Sequence, residues 1–133
     1  KTVKMEEFSR IFETKPFCSH VNSTNPIYIP RIGTAAVTSD HSEISLEKSH
    51  KYFQVQCDPG MVNAEYLAAF FESGIGKLIF SSMFSESQVK TINARSICET
   101  IVCVPELDVQ IEIVESLEKI KTIKRKISEM MGL

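Results

Sequence analysis

Side chains that could bind a metal or attack a substrate are few in this chain and widely spaced. They are Cys18, Cys57, Cys98 and Cys103, with His20, His41 and His50. No two of them form a C-x-x-C or H-E-x-x-H arrangement, and structural zinc normally needs paired close ligands, so we expect no metal site. Cys98 and Cys103 lie beside isoleucine and valine, where a thiol behaves as a small hydrophobic side chain and stays free in a reducing compartment.

Two short motifs look like parts of enzymes. Asn-Pro-Ile-Tyr at residues 25–28 looks like the Asn-Pro-Pro-Tyr motif of amino-directed methyltransferases, but no glycine-rich cofactor turn accompanies it. An extended dipeptide entering a strand explains it more simply. Gly-Ile-Gly-Lys at residues 74–77 lacks the upstream glycine of a phosphate-binding loop. We therefore expect no enzyme, no catalytic residue and no cofactor.

Size and charge indicate one globular body of modest core. The chain has 133 residues, a net charge of −2 and 43% hydrophobic content, without an apolar run that could span a bilayer. A protein that coats nucleic acid usually has a clear basic excess, so any nucleic-acid contact must use a narrow basic face. The start at Lys1 suggests a fragment of a longer protein, and the absence of a leader favours the cytoplasm.

The body is expected to mix short strands with helices. Alternation of ring or branched side chains with polar ones predicts a strand over 52–57, and Asn63 is a candidate cap for a helix over 64–71 that Gly74 closes. Residues 3–11 approximate a helical face, although a strand over 10–13 fits equally well. The other predicted elements are strands at 27–29, 35–38, 89–92 and 100–104, a helix over 75–83, and loops over 14–26 and 39–50.

The C-terminal segment predicts a helix that begins near residues 106–109, after Pro105 and with Asp108 as a possible cap. Apolar residues then recur at steps of three and four through about 22 residues, or ~33 Å. They are Ile113, Leu117, Ile120, Ile123, Ile127 and Met130. Acidic residues occupy the first half and basic residues the second, so two such helices would pair antiparallel. The predicted fold is thus α+β, with a body at 1–105 and a long helix at 106–133 suited to antiparallel pairing.

Several stretches resemble the specificity subunits of type I restriction-modification systems, in which a target recognition domain precedes a long spacer helix. The matching stretches are residues 3–11, 28–33, 61–71 and 88–92, and above all the junction IVCVPELDVQIEIV at residues 101–114. By this resemblance the protein recognises one half of a split DNA sequence and performs no chemistry itself. Its partners would be double-stranded DNA, a methyltransferase subunit that modifies adenine, a restriction subunit and a second copy or paired spacer helix.

DNA recognition of this kind needs base-reading side chains on exposed loops and cations or hydroxyls against phosphate. The candidates are Arg31, Lys48, Lys51, Ser85, Ser87, Gln88, Lys90, Thr91 and Asn93. Two alternatives stay open. The chain could be a recognition domain fused to a DNA methyltransferase in one longer polypeptide, or an assembly module whose helix binds only proteins.

Overall fold

The computed structural model describes residues 1–12, 25–31, 36–40, 51–84 and 91–132 and shows an α+β fold with one long C-terminal helix. The strands are β1 (Thr2–Lys4), β2 (Ser9–Phe12), β3 (Pro26–Pro30), β4 (Tyr52–Cys57) and β5 (Ile101–Cys103). The helices are α1 (Ala64–Glu72), α2 (Gly74–Ser82), α3 (Ala94–Glu99) and α4 (Leu107–Met130), with a 3-10 helix at Met5–Glu7. No helix in the described part of the chain is long and apolar enough to cross a membrane.

The strand predicted over 52–57 is confirmed as β4, the middle strand of an antiparallel sheet in the order β2-β4-β3. The alternation of branched or ring side chains with polar ones in β4 has a structural cause. Val55 pairs with Ile27 and Phe53 pairs with Ile29 on the face that meets the core. All four side chains are at most 1% exposed. Leu67 and Phe71 of α1, and others, belong to the same core.

The helical face predicted near the N-terminus is wrong, because that segment is mostly extended. Val3 of β1 pairs with Val102 of β5, and the Met5 N–H donates to the Thr100 carbonyl at 2.8 Å. These partners come from the far end of the chain and override the local periodicity. The alternative prediction of a strand at residues 10–13 is confirmed by β2 as far as Phe12.

Helices α1 and α2 follow one another with a single residue between them. The predicted Asn63 cap is confirmed, since its Oδ1 accepts the Tyr66 N–H at 3.0 Å. Ser73, not Gly74, ends α1, and its Oγ accepts the Gly76 N–H at 3.1 Å to begin α2. A Cβ at position 76 would lie 1.7 Å from the Phe70 carbonyl oxygen, so only glycine allows α2 to cross the end of α1 this closely.

Helix α3 was not predicted from the sequence. Asn93 caps it through Oδ1, which accepts the Ser96 N–H at 2.8 Å. The predicted strand at 100–104 is confirmed as β5.

The strands predicted at 35–38 and 89–92 are not found among the described residues of those segments. In the predicted strand at 89–92, residues 89 and 90 lie outside the described residues, and Thr91 forms only an isolated bridge. Residues 36–38 also lack the predicted strand, apart from a bridge between Thr38 and Tyr28. The predicted loops at 14–26 and 39–50 fall mostly outside the described residues.

The long C-terminal helix is confirmed as α4, which has 24 residues and a length of ~36 Å. Its N-cap is Glu106, within the predicted starting range, but without a side-chain cap. The predicted capping role of Asp108 is wrong, because Asp108 is already inside the first turn. Its Oδ1 lies 3.0 Å from the N–H of Val109, its immediate neighbour.

Candidate nucleic-acid interface and helix-pairing surface

Three of the segments predicted to contact DNA converge at one end of the three-stranded sheet. Directly beyond the pair Pro30 and Tyr52, the Arg31 N–H donates to the Lys51 carbonyl at 2.7 Å. The Arg31 carbonyl in turn accepts the Ile92 N–H at 2.9 Å. Arg31, Lys51 and the segment from Thr91 to Asn93 are thus held together by backbone bonds, although they are far apart in sequence.

The two cations of this cluster have different surroundings. Arg31 is half-buried, and its guanidinium carbon lies 4.9 Å from the centroid of the Phe53 ring. Such stacking fixes the direction of a guanidinium. Lys51 is exposed and forms no ion pair with a described residue. Together they place positive charge at the end of the sheet.

The remaining DNA candidates are placed only in part. Thr91 is half-buried, and the Asn93 side chain serves as the cap of α3. A cap uses the Oδ1 of Asn93 and leaves its amide nitrogen as a donor. Lys48, Ser85, Ser87, Gln88 and Lys90 lie outside the described residues.

A buried glutamine joins α4 to the body. Gln110 is 0% exposed, and its Oε1 accepts the Asn63 N–H at 2.8 Å. Its Nε2 donates to the Met61 carbonyl at 3.0 Å and to the Pro105 carbonyl at 2.7 Å. These bonds use both donors and the acceptor of the amide, so the first turn of α4 is fixed on the turn that precedes α1.

A second polar contact supports the same joint. The Tyr66 hydroxyl of α1 donates to the Cys103 carbonyl at 2.7 Å, immediately before α4 begins. Burial and the nearby Cys103 raise the pKa of Tyr66 to about 12, so the hydroxyl remains a donor at neutral pH.

Beyond this joint the apolar stripe of α4 is uncovered. Every described residue from 111 onward is exposed except Val114, which is half-buried. The exposure rises from 37% at Ile113 and Leu117 to 56% at Ile123 and 86% at Met130. We name the six predicted pairing residues, Ile113 to Met130, the α4 stripe; more than a third of the surface of each remains exposed.

A groove of about 1270 Å³ lies between the body and α4. One wall is α1, with Ala68, Ala69 and Phe70, and residues 36–40 contribute to it as well. The other wall is α4, whose Ile113, Leu117 and Ile120 belong to the α4 stripe. Sequence reasoning did not identify the α1 wall. A sequence pattern that could have indicated this wall is the pair Glu65 and Glu72, which are seven residues apart and therefore lie on one side of α1.

The chemistry open to the described cysteines and metal-binding residue types depends on their burial and their spacing. Burial raises the pKa of the Cys57 thiol to about 12, so this thiol is not a thiolate nucleophile at neutral pH. No group of three or more metal-binding side chains occurs among the described residues. Of the four cysteines, Cys98 is half-buried and Cys103 exposed, so the apolar environment expected for Cys103 is wrong, while Cys18 lies outside the described residues.

The Asn-Pro-Ile-Tyr motif is used for folding. The Asn25 Nδ2 donates to the carbonyls of Cys57 and Val62 at 3.1 and 2.6 Å, and its Oδ1 accepts the Ala64 N–H at 2.9 Å. Asn25 has φ 55, a left-handed conformation that asparagine tolerates better than most residues. Pro26 begins β3, and Tyr28 is 1% exposed. The motif thus enters a strand, as predicted, but the extended conformation predicted for the dipeptide is wrong at Asn25.

A comparison of the chain with models of known protein families and with curated proteins finds no match.

Proposed function

We propose that this chain is one half of a specificity subunit of a type I restriction-modification system. The body reads one half of a divided DNA sequence in the cytoplasm, and α4 is the spacer that pairs with a second recognition half. Methylation of adenine and restriction are carried out by partner subunits. The chain itself then needs no catalytic group.

One observation carries most of this proposal: a compact α+β body is locked by Gln110 to a long helix whose apolar stripe is exposed. A helix that served its own core would bury that stripe. A fixed joint is what a spacer requires, because the distance between two DNA half-sites is set by rigid geometry.

The cation cluster at the end of the sheet supports the DNA side of the proposal. Arg31 has the donor geometry for the O6 and N7 acceptors of guanine, and Lys51 has the point charge for a phosphate. The backbone bond between them keeps the two groups at one place on the surface. A narrow basic site of this kind is compatible with the net charge of −2.

The experiment is a selection from random DNA duplexes with the intact assembly, including its methyltransferase subunit, at low and at physiological salt. We expect enrichment of two short half-sites at a fixed separation. A matched control carries Ile120→Asp and Ile123→Asp, and it should lose the fixed separation because the helices no longer pair.

Two outcomes would contradict the proposal. Enrichment of one undivided site would mean that the body reads DNA without a spacer function of α4. Absence of DNA retardation by the paired protein at low salt would favour the rival assembly module, since even non-specific binding is strongest at low salt.

A further inference from the structure

We propose that the groove between α1 and α4 receives the basic C-terminal half of α4 from a second copy of this chain. The body, through α1, then takes part in the pairing together with the helix. This inference rests on the helix pairing in the proposed function and adds a second wall to that contact.

The position of the α4 stripe leads directly to the groove. Ile113, Leu117 and Ile120 form the inner part of the stripe and line the groove at the same time. A helix that covers them must therefore enter the groove and touch α1. Because the axes of packed helices lie only 8–10 Å apart, a second helix packed on this part of α4 would lie within the groove.

The α1 wall is shaped for close approach. Ala68 and Ala69 line the groove with small side chains, and Phe70 adds an apolar ring. The Phe70 ring is itself supported by Phe71, with 5.6 Å between the ring centroids. A helix lying there would contact α1 on one side and α4 on the other.

Charge selects which half of the second helix enters. Residues 107–118 of α4 include four acidic and no basic side chains, whereas residues 119–130 include five basic and one acidic. Glu65 and Glu72 of α1 add exposed negative charge on the groove wall, and neither forms an ion pair with a described residue. Of the acidic residues on α4 only Glu118 lines the groove, and with Glu65 and Glu72 it makes the inner part acidic, while Lys121 and Lys124 line the outer part. The basic half of an incoming α4 therefore suits the inner part, which requires an antiparallel direction.

One symmetric register pairs four of the six stripe residues directly and leaves Leu117 and Ile127 offset from each other by one residue. With Ile120 opposite Ile123 of the second copy, Ile113 lies opposite Met130, and Glu118 lies opposite Arg125. Within one chain these two charges form only exposed pairs, Lys121 to Glu118 at 3.7 Å and Arg125 to Glu129 at 2.9 Å. Exposed ion pairs of this kind contribute little to stability, so replacing them by ion pairs between the two chains costs little free energy.

The test reverses the charge of the groove wall without touching α4. The variant carries Glu65→Lys and Glu72→Lys, and its dissociation constant is measured by sedimentation equilibrium on the full chain. Because each contact occurs twice in a symmetric pair, we expect about a tenfold increase in the dissociation constant at low salt and a smaller one at high salt. The matched control is Glu6→Lys, an exposed charge reversal outside the groove, which should leave the constant unchanged.

A second variant guards against a folding defect. Ala69→Trp fills the groove without a change of charge, and we expect it to weaken pairing by a similar factor while circular dichroism stays unchanged. If both variants pair as tightly as the unaltered chain, the inference is overturned. Specific selection of divided DNA by those same variants would still support the proposed function. Monomers of the unaltered chain at all concentrations would overturn the inference as well.

Discussion

The two ends of α4 have opposite surroundings, buried and polar at the start and exposed and apolar farther along. At its start, Gln110 is fully buried and all of its amide hydrogen-bonding groups are used by the body. Past Val114, the helix presents isoleucine, leucine and methionine to solvent. The start of the helix is therefore positioned by polar bonds, while its apolar residues past Val114 are exposed.

This difference also bears on stability. Most of the stability of a helix in a protein comes from the packing of its apolar face, which is exposed in the outer half of α4, and the described ion pairs there are exposed as well. The outer half thus has more to gain from a partner than the inner turn, which the body already orders. Each of the following substitutions tests one side of this comparison.

The largest effect is expected where the outer half pairs. Ile120→Asp with Ile123→Asp places four carboxylates in the symmetric contact and removes four side chains worth roughly 1.5–3 kcal/mol each when buried. Because Ile120 and Ile123 are already about half covered in the single chain, at 46% and 56% exposure, we expect self-association to weaken by about 3 kcal/mol or more, measured by sedimentation. The unfolding of the body should stay the same in urea. An unchanged molecular mass would show that the stripe does not pair.

The inner end is tested by Gln110→Met, which keeps the length of the side chain and removes its hydrogen bonds. The Asn63 N–H and the carbonyls of Met61 and Pro105 then lose their partner in a buried site. We expect the free energy of unfolding to fall by about 3 kcal/mol in urea titrations. The control Glu112→Gln, on the exposed side of the same helix, should change it by less than about 0.5 kcal/mol. If Gln110→Met were neutral, apolar packing would be the true anchor.

In the body, Arg31→Ala separates a base contact from a structural role. A base-reading arginine should lose about 1–3 kcal/mol of preference at one base pair, with a smaller loss on unrelated duplexes. Arg31→Lys is the matched control, since it keeps the charge but not the paired donors. Equal loss on all sequences, measured by fluorescence anisotropy, would make Arg31 a phosphate contact. Reduced stability with unchanged DNA binding would give Arg31 a structural role, to which its stacking on Phe53 contributes.

The smallest effect concerns the buried thiol of Cys57, whose pKa rises from 9.0 to about 12 on burial. Above pH 9 the unfolded chain releases this proton while the folded chain keeps it, so stability falls as pH rises from 9 toward 12. We expect the unaltered chain to lose about 1 kcal/mol more than Cys57→Ala between pH 7 and pH 10, measured by urea titration. Equal losses would mean that the thiol is accessible in the folded state.

The elements that sequence reasoning predicted correctly have local signals. Strand β4 follows from alternation along six residues, α1 from the Asn63 cap, and α4 from apolar steps of three and four. The N-terminal segment was misjudged because its pairing partner, β5, is about 100 residues away. Helix α3 has only six residues, too few to establish a period.

The candidate surfaces were predictable only in part. The α4 stripe was visible because all its members lie on one helix. The partners of Gln110 were not, since Met61 and Asn63 precede it by 49 and 47 residues. Likewise, polar composition suggested Arg31 and Lys51 separately, but only the register of β3 and β4 brings them together.

The direct test of the account is the direction in which two copies of α4 pair. Chains in which all native cysteines are replaced would carry either Ile113→Cys or Met130→Cys, and the two would be mixed and oxidised. We predict disulfide-linked pairs that contain one chain of each kind, because an antiparallel register places these positions opposite each other. Links only between chains of the same kind, or no links at all, would contradict the account.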